Sequence, residues 1–435
     1  MKPGTYRYLA LDRVHFGRPA ATVIAEEVAV RGAQRVMAVT SRTLNRTTDV
    51  VTSALAGIAP ALVGVFDACE EHTPRESVLA LCRRLRETRA DLVVTIGGGT
   101  AIDTVKVALV CMAEGIDTVE GMDRCHVSVD AQGRRVVPVL ADPPLRQIAV
   151  PTTLSAAEYS DLAGCTDRRT GQKHLYTAAL IGPAAVILDP AATLHTPERL
   201  WLSTGIRAID HAVESICSID AQPLTDATCL RALKLLSHNL REYKADPDHL
   251  AGRLNSQTGA WLAATGVNRV NFGASHGIGH VLGAALGIPH GITSCVLLPT
   301  VVTYNREVLG ERNGWLAEAL GDATAEPADL LMALIGALGL PTRLRDVGVL
   351  PAHFAELARK AMDNPWVRTN PSRIDDPRQV EDILPGAWCR SGVAPSAAWT
   401  LGPQGAITSE RHPSHWFADR RVGRPPAPGR AATCA

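Results

Sequence analysis

The run TIGGGTAIDTVK, residues 95–106, constrains this chain more than any other stretch. Three glycines stand between an apolar, strand-like DLVVTI (91–96) and a helix-like segment. A backbone without Cβ atoms turns tightly and lets a ligand come close. The helix that follows offers unpaired N–H groups and the positive end of its dipole, a seat for a pyrophosphate. Asp103 and Lys106 are three apart and share a helix face. An acid and a base there suit a ribose, a nicotinamide edge or a phosphate. A ligand-free turn with a surface ion pair is the plain alternative. The spacing is not the G-x-G-x-x-G dinucleotide fingerprint.

Around that run, strand-like and helix-like segments alternate. GRPAATVIAEEVAVRG reads as a helix closed by Gly32. RVMAVTS (35–41) and ALVGVF (61–66) read as strands. TPRESVLALCRRLRETRA (73–90) reads as a helix capped by Thr73, with Pro74 at its first position. The alternation predicts parallel strands with right-handed crossovers. From Pro197 onward Ala- and Leu-rich helical stretches dominate. The expected organisation is an α/β, Rossmann-like domain over 1–195, an all-α helical domain over 196–400, and a tail over 401–435. The last twenty or so residues are rich in Pro, Gly and Arg and poor in core formers, so they are expected to be disordered, with His412 and His415 solvated.

Composition narrows the function classes. Lys+Arg and Asp+Glu both number 44, so net charge supplies no pull toward nucleic acid or an anionic membrane. Aromatics are 4%, too few for base-stacking platforms. The ten cysteines form no C-x-x-C pair and read as reduced thiols of a cytoplasmic protein. No stretch reaches eighteen apolar residues, and neither a signal peptide nor a membrane span is expected.

The second chemical feature is GASHGIGHVLGAALGIPHG, residues 273–291. His276 and His280 are four apart, on one face of a helix. The turn GIPHG would let His290 fold back toward His276. His211 lies in another apolar stretch, one turn after Arg207. Imidazoles converging from separate elements can hold a metal. A hydrogen-bonded core histidine is the ordinary alternative for any one of them.

Taken together, the motifs resemble those of the iron-containing alcohol dehydrogenase family, on the dehydroquinate synthase-like fold. Gly97, Gly98, Gly99, Thr100, Asp103 and Lys106 match its G-G-G-[ST]-x-x-D-x-x-K signature. VPTTLSAAEYS (150–160) is similar to its cofactor-contacting Pro-Thr-Thr loop, and KHLYTAALIGPAAVILDP (173–190) to its lysine-to-DP segment. The resemblance covers about residues 5–390. It implies an enzyme that transfers hydride between NAD or NADP and a small carbonyl or alcohol. It places Gly97, Gly98, Gly99, Thr100, Asp103, Lys106, Thr152, Thr153, Ser41 and Lys173 at the cofactor, and it implies a homodimer. Ser41 and Arg42 stand where many NAD users carry an acid, which leaves NAD and NADP both open.

Family members that bind iron or zinc use one Asp and three His. His211, His276 and His290 match the three histidines, and His280 matches a histidine tied to proton relay. The Asp position holds Arg207. A guanidinium has no lone pair and adds positive charge where a carboxylate would neutralise a cation. Asp210 lies about 100° per residue around the helix from His211 and would serve only a rebuilt site. The short form PTTLSAAE (151–158) and HVLGAALGIPH (280–290) resemble the maleylacetate reductase branch, described as metal-independent. There Arg207 would polarise a carbonyl or clamp a substrate carboxylate, beside His280, His211 and His276. Three other readings stay open: a metal-dependent alcohol dehydrogenase with a rebuilt site, a non-redox lyase or cyclase on the same fold, and a non-catalytic descendant.

Overall fold

The computed structural model describes residues 4–129, 135–389, 399–401 and 407–409. Six strands form one parallel sheet: β1 (Arg13–Phe16), β2 (Val36–Val39), β3 (Leu62–Phe66), β4 (Leu92–Gly97), β5 (Arg146–Pro151) and, after a hairpin of β6 (Leu162–Asp167) with β7 (Gln172–Thr177), β8 (Ala185–Leu188). Their order is β1-β8-β5-β4-β2-β3. Strands β2, β4 and β8 are buried along their whole length, as expected for a parallel sheet covered on both faces. Period-two alternation sorts the side chains. Met37, Val39 and Val93 pack on one face with Leu81, Leu85 and Val105. Val36, Ala38, Leu92, Val94 and Ile96 pack on the other with Val23 and Ile24.

The chain runs from β2 outward to β3, then returns across the sheet to β4 and continues to β5. The strand order therefore reverses beside β4, and such a reversal opens a crevice at the strand carboxyl ends. The glycine run sits there, between β4 and the helix Gly99–Ala113.

The helix after β3 differs from expectation. It spans Arg75–Glu87, Pro74 is its N-cap, and Thr73 takes a left-handed backbone (φ 53°) rather than capping it. The turn is set by tertiary contact: Thr166 N–H donates to Thr73 O at 3.0 Å.

Beyond Pro197 the described chain is mainly helical. The helix Glu198–Cys217 lies at the centre, with every residue from Trp201 to Cys217 buried. The helices Pro223–Ala245, Leu250–Ala263, Ala274–Leu286 and His290–Leu309 follow it. A helix apolar all round suits such a position. This one is not: Arg207, Asp210, His211 and Glu214 form an i, i+3, i+4, i+7 stripe, and a buried stripe of that kind must find partners.

Among the described residues no helix is long and apolar enough to cross a membrane, and the nine described cysteines are unpaired. Across the boundary expected between the helical domain and the tail, Trp399–Leu401 pairs antiparallel with Ile407–Ser409. The remainder, with His412 and His415, lies outside the described residues.

Candidate active site

The glycine turn is shaped by the loop across from it. A Cβ on Gly98 would lie 3.0 Å from Thr153 Cγ2, and one on Gly99 would lie 2.9 Å from Ser155 Oγ. Thr152 N–H donates to Gly97 O at 3.0 Å, continuing the β4–β5 ladder into that loop. Gly97, Gly98 and Gly99 thus lie against Thr152, Thr153 and Ser155, with Thr100 in the first turn of the helix that follows. Ser41 stands at the end of β2, where its hydroxyl accepts from Leu44 N–H at 3.2 Å.

Lys106 takes a different place from the one the sequence suggests. Its side chain is fully buried. Its ammonium donates to Leu162 O at 2.8 Å, to Ser160 Oγ at 3.1 Å and to Ala157 O. Asp103 sits 3.3 Å from it and accepts from Gly164 N–H at 3.2 Å. All three ammonium donors are engaged, so Lys106 shapes the wall beside the glycine turn from within the protein.

The histidines gather on the helical side. His276 and His280 share a face of the helix Ala274–Leu286. That helix begins without a capping side chain of its own. Its first four N–H groups are met from far away in sequence: Gly273, Ser275 and His276 donate to Glu214, and Ala274 donates to Asn370 Oδ1. Glu214 also meets His276 Nδ1 at 2.7 Å. Burial and neighbouring Asp210 push the Glu214 carboxyl up to about 8, against the three backbone donors that hold it down.

His276 Nε2 and His211 Nδ1 are buried without a partner. The His211 and His276 rings are 5.1 Å apart, with Phe272 4.3 Å from His276. Trp366 stands 4.9 Å from His280 and 5.9 Å from His276. After a left-handed turn at Gly287 (φ 66°), His290 folds back to His280, at 5.3 Å between ring centres. The glycines of this helix admit protein rather than a ligand: a Cβ on Gly277 would collide with Val367 at 2.6 Å.

Arg207 is held in place. Its Nη1 donates to Ser294 Oγ at 3.1 Å and lies 3.6 Å from Asp210 Oδ2. Asp210 is fully buried and accepts from Ser294 Oγ at 2.6 Å and Ser275 Oγ at 3.0 Å. It faces the site, contrary to the expectation from its angle to His211: the spacing that matters is i, i+3 to Arg207. Burial pushes Asp210 up and Arg207 down. The guanidinium stays protonated, so Asp210 is its counter-ion. Burial, then Arg207 and Lys173, push His280 down to about 3. Desolvation likewise holds His211, His276 and His290 well below the ordinary value. The site is therefore a set of neutral imidazoles beside a fixed cation, and it opens past the partly exposed His280, His290 and Trp366.

A sequence-family model described as iron-containing alcohol dehydrogenase matches residues 12–190, and one for the C-terminal part of the Fe-containing alcohol dehydrogenase family matches 201–388. The chain belongs to the iron-containing alcohol dehydrogenase family. It is an oxidoreductase of that family. Dehydrogenase FUM7 of Gibberella moniliformis is 32% identical, covering 86% of this chain and 96% of its own. The maleylacetate reductase of a Pseudomonas species is 26% identical, covering 82% and 91%. The crystal structure of a 1,3-propanediol oxidoreductase superposes with a TM-score of 0.80 at 26% identity, covering 88% and 100%.

The family's metal can be tested against these side chains. Its acid position is a guanidinium already paired to Asp210. His211, His276 and His290 do not bring three ring nitrogens within 4.8 Å of one another. Among the described residues, Asp210, Glu214 and His276 do approach that closely. Asp210 Oδ2 already meets two hydroxyls and Arg207, Glu214 meets three N–H groups, and His276 Nδ1 meets Glu214, while Asp210 Oδ1, His211 Nδ1 and His276 Nε2 are buried without a partner. The residues present do not fit a divalent cation in the family's arrangement. Sequence reading named Asp210 only for a rebuilt metal site, and it missed Glu214, Ser294, Phe272 and Trp366 as parts of the site.

Proposed function

We propose that the chain is an NAD(P)-dependent reductase of small carbonyl compounds, carboxylate-bearing ones above all, working with Arg207 as its electrophile. The observation that carries this reading is the Arg207 guanidinium, buried at the histidine site and fixed by Asp210 and Ser294. A nicotinamide bound beside the glycine turn would supply the hydride for the carbonyl carbon, which leaves negative charge on the carbonyl oxygen. A preorganised cation at that oxygen stabilises the developing alkoxide, and in a water-poor site it does so without reorganising. Arg207 supplies that charge. His280, neutral and near the opening, relays the proton to the alkoxide. It gives one from one ring nitrogen and takes one at the other. The glycine turn with Thr152 and Thr153 seats the dinucleotide, and the fixed cation favours substrates that carry a carboxylate.

The experiment is Arg207→Ala with stopped-flow turnover and a fluorescence titration of NADH on the same protein. Loss of one preorganised donor costs about 10²–10³ in kcat. NADH affinity should stay within about two-fold. Full turnover in that variant overturns the reading.

A further inference from the structure

The hairpin β6–β7 carries Lys173 toward the helical domain. Its ammonium lies 3.4 Å from His290 Nε2. An ammonium only donates, so His290 Nε2 is the acceptor and its one lone pair faces Lys173. His290 Nδ1 is then the protonated nitrogen, and it is buried without a partner. A histidine that the family resemblance assigns to a metal thus offers its lone pair to a lysine.

The lysine is steered there by the hairpin. Its stem lies across Gly164, where a Cβ would overlap Lys173 Cε. The carboxylate that acts on it, Asp103, is already shared with Lys106 and Gly164 N–H. Desolvation lowers the Lys173 ammonium from its ordinary value, and Asp103 offsets part of that. The residue is exposed by area, so this desolvation comes from the wall it lies against. Lys173 and Arg207 both act on His280, so the two cations border the same space.

We propose that Lys173 and Arg207 together replace the family's divalent cation, Lys173 at His290 and Arg207 at the acid position, and that Lys173 holds the carboxylate of the substrate while Arg207 faces its carbonyl oxygen. The second half rests on the reductase reading above; the first half does not. The chemistry is that of an anion site: two monovalent cations with hydrogen-bond donors, one at the acid position and one on the His290 lone pair. Lys173 accordingly serves the substrate rather than the cofactor.

The test has a binding arm and a kinetic arm. Equilibrium dialysis against Zn²⁺ alone should show no stoichiometric uptake by the natural protein and weak uptake by Arg207→Asp, because Lys173 still occupies His290. The double variant Arg207→Asp/Lys173→Met should bind about one Zn²⁺ per chain. One Zn²⁺ per chain on the natural protein overturns the replacement, whatever the turnover of Arg207→Ala. In the kinetic arm, Lys173→Met should raise KM at least ten-fold for a carboxylate-bearing keto acid, with NADH affinity unchanged and KM for a neutral aldehyde unchanged. Lys173→Arg should restore the keto-acid KM. Gly164→Ala, which displaces the stem and keeps the charge, should reproduce the Lys173→Met defect. A loss of NADH affinity in Lys173→Met, with the keto-acid KM intact, assigns the lysine to the cofactor and overturns the substrate role.

Discussion

Asp210→Asn strips the counter-ion from Arg207 and leaves a guanidinium buried. At the 3.6 Å separation of the pair, two unit charges attract by about 4.6 kcal/mol at an effective dielectric of about 20. Removing one partner of a buried pair costs about 3–5 kcal/mol in comparable cases. The Ser275 and Ser294 hydroxyls still meet an amide oxygen, so the loss is that of charge. The expected destabilisation is about 4 kcal/mol, or about 8–16 °C if the helical domain melts as one unit. Arg207→Met should cost less. Asp210 keeps its two hydroxyl donors, and burial already raises its pKa, so it takes up a proton readily. The double variant Arg207→Met/Asp210→Asn removes both charges and should recover most of the Asp210→Asn loss, giving a coupling of about 3–4 kcal/mol. Urea denaturation of all four proteins, followed by circular dichroism, measures the cycle. An Asp210→Asn loss below about 1 kcal/mol, or single losses that simply add, would refute the pairing.

Other expectations follow from the same geometry. Gly98→Ala and Gly99→Ala force a Cβ against Thr153 and Ser155 at 3.0 and 2.9 Å; strain of about 1–3 kcal/mol should weaken NADH binding at least ten-fold by fluorescence titration. Lys106→Met orphans the carbonyls of Ala157 and Leu162, and a cost of about 2–5 kcal/mol should appear as faster limited proteolysis between residues 152 and 165. The site histidines have folded pKa values below the ordinary 6.5, His280 at about 3. The unfolded chain therefore takes up protons first as pH falls. Stability held above about pH 6.5 is lost on acidification, at about 1.4 kcal/mol per pH unit for each histidine in that window. His280→Asn should lower that slope, measured as denaturation midpoint against pH.

The sequence carried the glycine turn, the β2, β3 and β4 strands and the helical second half because each is a local signal: apolar runs, glycine punctuation and helical periodicity. Strand β5 lies mostly before the Pro-Thr-Thr segment and β8 lies inside the lysine-to-DP segment, so neither was read as a strand, and β1 is only four residues long. The role of Lys106 was not legible, because two residues three apart on a helix do not say which side faces the protein. Thr73 misled for a related reason: hairpin pairing to Thr166 overrides a capping preference. Asp210 and Glu214 had a readable signal. With Arg207 and His211 they make an ionisable stripe along a buried helix, and such a stripe is tolerated only where its groups meet partners. The Lys173–His290 approach had none, since 117 residues separate the two.

The start of the helix Ala274–Leu286 has a consequence for how the protein moves. A helix capped by its own Ser or Asp can fray and re-form by itself. Here the amides of residues 273–276 are tied to Glu214 and Asn370, 59 to 96 residues away. Those four amides can exchange with solvent deuterium only when the central helix and the Asn370 segment come apart together. They should exchange as slowly as the core of the helical domain and in one cooperative step, unlike the amides at a locally capped helix end. The element that presents His276 and His280 is therefore late to be pinned in folding and, once pinned, opens only with the domain around it.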